Sequence, residues 1–186
     1  AISAIISQYL GAGRIEDVKT LPAQAIFLNI ALSLLILGAT IFIVEDIFKL
    51  FNASGKILDY CVSYYSIRVW GFPLTLFVFA VMGIFRGLQN TYYPMLIAIT
   101  GAVLNIGLDF LLAYGVDGWI PALYLDGAAY ASVIAQGSMA ILAFILMYTK
   151  TDISLNLILS FKSEPGRQSG ISLYLFVRTI ALNPDC

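Results

Sequence analysis

The chain has 186 residues, 60% of them hydrophobic and 11% charged, with a mean hydropathy of +0.90. That charge content is less than half of the roughly 25% usual in soluble domains, which excludes an ordinary soluble domain and points to membrane-spanning helices. The net charge of −1 comes with no basic tract, which argues against nucleic acid as a partner.

Histidine is absent, so proton coupling near neutral pH would fall to a carboxylate. The two cysteines, Cys61 and Cys186, have neither disulfide-framework nor metal-ligand spacing. No nucleophile–base set, metal cluster or phosphate loop is present, so an enzyme is not expected, and no cofactor is implied.

Taken in order, residues 1–10 read as the tail of a spanning helix closed by the GAG at 11–13. The sequence opens inside an apolar segment and stops soon after a short one, as expected of an internal fragment of a longer protein. Arg14, Glu16, Asp17 and Lys19 suggest a charged loop. Residues 21–44 carry no charge and form the first complete span, with Pro22 near its start, where a missing N–H costs little. A turn is expected over 45–52, and a further helix over 57–85, with Arg68 inside it beside the kink-prone Gly71-x-Pro73. After a short polar loop, residues 94–115 form the next span. A loop over 115–126 follows, with Trp119 suited to the membrane interface, and then the span 127–148. Residues 149–168 are a polar connector, and 169–186 begin a last, truncated helix carrying Arg178. The reading is an all-α polytopic membrane protein with four full spans between two partial ones. Alternate loops hold six lysines and arginines against two (Lys49 and Lys56), which places the loops at 11–20, 86–93 and 149–169 in the cytoplasm.

The span at 94–115 carries a single ionisable residue, Asp109, with Asn105 one turn earlier. Spacing of four puts both on one face, which Gly101 extends and Ala98 and Ala102 flank. A charge at the centre of a membrane helix costs about 2.5–3.5 kcal/mol on insertion scales, so Asp109 reads as a functional group facing other helices. Its bland alternative is a structural acid hydrogen-bonded across helices. Arg68 and Arg178 read as interhelical ion-pair partners or snorkelling ends, or else as groups at a cavity or a junction between lobes. In the next span, Ala128, Ala131, Ser132 and Ala135 form a small-residue stripe of the kind found where helices pack.

Three passages, SQYLGAGRIEDVK (7–19), GIFRGLQNTYYPMLIAITGAVLNIGLDFLLAYG (83–115) and GAAYASVIAQ (127–136), together resemble the multidrug and toxic compound extrusion (MATE) transporters. LFVRTIALN (175–183) is similar to the start of a seventh helix in the DinF-like branch. The resemblance implies that residues 1–168 are most of the amino-terminal lobe of a twelve-helix transporter, from the end of helix two through helix six, and that 169–186 begin helix seven. It also implies a cation site in this lobe, with Asp109, Asn105, Ser132 and Ala128 in matching positions and Na+ or H+ as the coupling ion. A first-helix aspartate would complete that site, so this stretch alone should neither bind nor transport. The implied function is secondary active export of small organic compounds, by a protein monomeric at full length, in the lipid bilayer of the bacterial inner membrane. Alternatives are a lipid-linked oligosaccharide flippase of the same superfamily and a non-transporting membrane scaffold.

Overall fold

The structure is a computed structural model that describes residues 2–13, 15–115, 119 and 121–151. The connector over 152–168, the expected final helix and Arg178 lie outside the described residues. Among those described, the chain is a bundle of six helices in the order α1 (Ile2–Gly11), α2 (Ile15–Leu50), α3 (Gly55–Arg68), α4 (Gly71–Gly87), α5 (Tyr92–Ala113) and α6 (Tyr124–Lys150). Three stretches, Ala25–Leu50, Tyr92–Ala113 and Tyr124–Lys150, are long and apolar enough to cross a membrane, and a fourth is if α3 and α4 are one bent span.

Charge proves a poor guide to where helices stop. The expected loop after 13 is already helical at Ile15, and the expected turn at 45–52 is helical as far as Leu50. Glu, Asp and Lys are compatible with helix, acids suit a helix start, and Glu45 pairs with Lys49 one turn on at 2.7 Å. Charged residues mark where an apolar span ends, not where the backbone stops coiling. Pro22 is consequently buried inside α2 and not at its start.

What ends these helices is backbone geometry. Asn52 and Gln89 adopt left-handed conformations at φ 60° each. Beyond them, the Ala53 N–H donates to the Phe48 carbonyl at 3.0 Å, and the Asn90 N–H to the Phe85 carbonyl at 2.9 Å. This is the Schellman closure, which satisfies carbonyls that the helix leaves over. The Asn90 side chain then accepts from the backbone N–H of Tyr92 at 3.1 Å, tying the end of α4 to the start of α5.

The span expected as one helix over 57–85 is broken at Val69–Trp70 and bends by 44°. Pro73 has no N–H to give the Val69 carbonyl four residues back. The Phe72 N–H takes that carbonyl instead, at 3.1 Å, and the hydrogen-bond ladder shifts register there.

α6 is the central element, packed against α3, α4 and α5. It can be central because the side chains it buries are small: Ala129, Ala131, Ala135, Ala140 and Ala143. At one end of the bundle Ile6, Val81, Ile84, Phe85, Ala143 and Met147 pack into one core cluster. Phe85 and Tyr93 meet there in a tilted pair, with ring centroids 5.1 Å apart. Large apolar residues such as Phe42 and Phe110 face outward, 85% and 66% exposed, as hydrocarbon contact requires.

Candidate functional site

The site lies along the seam between α5 and α6. These helices run antiparallel and touch closely at two glycines. A methyl group at Gly101 would overlap the Met139 sulfur, and one at Gly127 would overlap the Leu112 carbonyl oxygen. That same carbonyl accepts the Leu123 N–H at 3.0 Å, so the connection between the helices is stitched to the end of α5.

Between the two glycines, Asn105 Nδ2 donates to Ser132 Oγ at 3.4 Å. The two residues are 27 apart in sequence, and both side chains are part-buried. Stepping one turn along each helix in opposite directions brings Asp109 level with Ala128. Asp109 Oδ1 is buried and has no hydrogen-bond partner among the described residues. A buried polar atom without a partner is an exception that needs a reason, such as a proton, a cation or a water. The local donor set is a carboxylate, an amide and a hydroxyl, all hard oxygen ligands of the kind Na+ takes. Asn105 uses its NH₂ toward Ser132, which leaves its carbonyl oxygen available.

Beside this pair opens a cleft of about 270 Å³, lined by Arg68, Gly101, Asn105, Ser132, Gln136 and Met139 together with three alanines. Arg68 thus stands with Asn105 and Ser132, while Asp109 and Ala128 lie outside the lining. Gln136 is the residue that sequence reasoning passed over. Its signal is there, since it follows Ser132 by four and is polar inside an uncharged span. Its Oε1 is also buried without a hydrogen-bond partner among the described residues. Farther along the seam, Ser63 Oγ donates to Asp126 Oδ1 at 2.9 Å and fastens α3 to the first turn of α6.

Solved structures share this fold. An inward-facing multidrug resistance MATE family transporter of the MOP superfamily superposes with a TM-score of 0.79 at 22% identity, over 88% of this chain and 36% of that one. A MATE protein in complex with MaD3S gives 0.77 at 23% identity, over 90% of this chain and 36% of that one. At such identities the likeness is one of fold.

Among sequences, the chain is 31% identical over 130 residues to Protein DETOXIFICATION 43 of Arabidopsis thaliana, covering 64% of this chain and 24% of that protein. It is 28% identical over 151 residues to the probable multidrug resistance protein NorM of Bacillus cereus, covering 81% and 33%. It is 27% identical over 148 residues to the multidrug export protein MepA of Staphylococcus saprophyticus, covering 80% and 32%. The chain therefore spans about a quarter to a third of the length of these relatives. The MatE family model matches residues 1–111, more than half of the chain and all of the helices from α1 to the Asn105–Asp109 face of α5, and the chain belongs to that family.

Proposed function

We propose that the full-length protein is a secondary active exporter of small organic compounds, driven by exchange for Na+ or H+. In this reading Asp109 carries the coupling ion. The protein is a multi-pass membrane protein; its setting in a bacterial inner membrane and its monomeric state belong to the same proposal, and the DinF-like branch rests on the motif resemblance alone. The observation that carries it is the buried, unpartnered Asp109 Oδ1, one turn from a hydrogen bond joining α5 to α6.

A bound ion would supply positive charge to that carboxylate. The chain's own residues do the rest. Asp109 changes net charge with occupancy, and the Asn105 carbonyl oxygen and Ser132 hydroxyl are the neutral oxygens beside it. Because Asn105 and Ser132 sit on different helices, occupancy is felt on both sides of the seam. Coupling then needs only that the loaded and empty sites favour different arrangements of the helices. Two relatives whose names contain multidrug resistance or export support the substrate class.

The test is efflux of a cationic dye from liposomes holding the full-length protein, under separate Na+ and H+ gradients. Asp109→Asn keeps shape and removes the charge, and gradient-driven efflux should fall to background. Efflux that stays gradient-driven in the variant would take Asp109 out of the mechanism.

A further inference from the structure

Arg68 is the one residue of the cleft lining that carries a charge, and it has no acidic partner among the described residues. It is also deep. Counted along the broken span, it lies roughly 20 Å from the start of α3 at Gly55 and roughly 28 Å from the end of α4 at Gly87, at about 1.5 Å per residue. A cation inside a membrane span is costly unless something negative meets it. Arg68 occupies the last turn of α3, next to the break at Val69–Trp70.

The neighbouring group matters as much. Gly71 is packed so that an added methyl would overlap Gln136 Oε1 and come within 3.3 Å of an Arg68 Nη atom. Arg68 and Gln136 therefore converge on one face of Gly71, at the same corner of the cleft. An amide can turn over to present its NH₂ in place of its oxygen. The corner then offers the guanidinium fork and a second donor side by side, the pattern that takes a planar oxyanion in two-point fashion. The rest of the lining is neutral, with small side chains and the Met139 thioether leaving room for an apolar body.

We propose that the Arg68–Gln136 corner is a binding subsite for the carboxylate of a small organic acid. An anionic group here would stand across the Asn105–Ser132 pair from the coupling carboxylate. That the bound acid is also exported rests on the exporter reading above; the binding itself does not.

The probe is benzoate, titrated calorimetrically into the purified full-length protein in detergent without phospholipid. Wild type should bind it, and Arg68→Gln should weaken binding at least tenfold, with Arg68→Lys falling in between. Gln136→Glu changes the amide to a carboxylate of the same shape and should occupy Arg68 internally, abolishing benzoate binding with the yield and melting temperature kept. That variant decides the matter if Arg68→Gln does not fold. Absence of benzoate binding in wild type, or unchanged binding in Gln136→Glu, overturns the proposal. Dye efflux measured on the same preparation separates the two ideas. Benzoate binding together with gradient-independent efflux would fell the exporter reading and leave the subsite standing.

Discussion

Ser132 holds the Asn105 amide across the α5–α6 seam, and its removal has a bounded cost. Interhelical hydrogen bonds in membranes contribute about 0.6 kcal/mol on average. Ser132→Ala should therefore raise the ion concentration for half-maximal efflux roughly threefold, the factor corresponding to ~0.6 kcal/mol. Ser132→Thr, which keeps the oxygen and stiffens χ1, should leave it unchanged. Coincident ion-dependence curves for all three proteins would remove Ser132 from the site. At this scale Asp109 and Asn105 are legible in the sequence, because helical spacing alone puts them on one face. The Arg68–Gln136 corner is not, because the two residues lie on different helices and only packing over Gly71 joins them.

Among the elements, the α5–α6 contact depends on backbone meeting backbone. At Gly127 the atoms in the way belong to the Leu112 and Ala113 main chain, which cannot rotate aside. Gly127→Ala should cost about 1–3 kcal/mol, as overpacking does, and lower the melting temperature of the full-length protein in detergent. Gly107, on the exposed side of α5, has open space where a methyl would go. Gly107→Ala should be neutral or stabilising by up to about 1 kcal/mol, since alanine is the better helix former. Equal melting temperatures for the two variants would contradict this account of the seam. The bend between α3 and α4 shows how far sequence reaches here. Gly71-x-Pro73 marks a kink, but the position of the break and its 44° follow from which N–H replaces the missing one.

For the whole molecule, the arrangement of charged loops predicts an orientation that can be read directly. Thr91, between α4 and α5, and Lys56, at the start of α3, are both exposed and belong to opposite sides of the bundle by helix count. In a full-length protein otherwise free of cysteine, Thr91→Cys should react with an impermeant thiol reagent only from the cytoplasmic side, and Lys56→Cys only from outside. The reverse pattern would invert the topology.

The sequence by itself determined that the chain is helical and lives in a bilayer, which helices cross, and that one of them carries an acid beside an amide. Those follow from local quantities: hydropathy over a span's length, and a repeat of 3.6 residues. Only the tertiary structure decided which helix end was real, that Asn105 meets Ser132, and that Arg68 and Gln136 share a corner. Such facts depend on how closely two backbones approach, and that is set by the small residues of α6 and by glycines 71, 101 and 127 acting together. No window along the chain contains that sum.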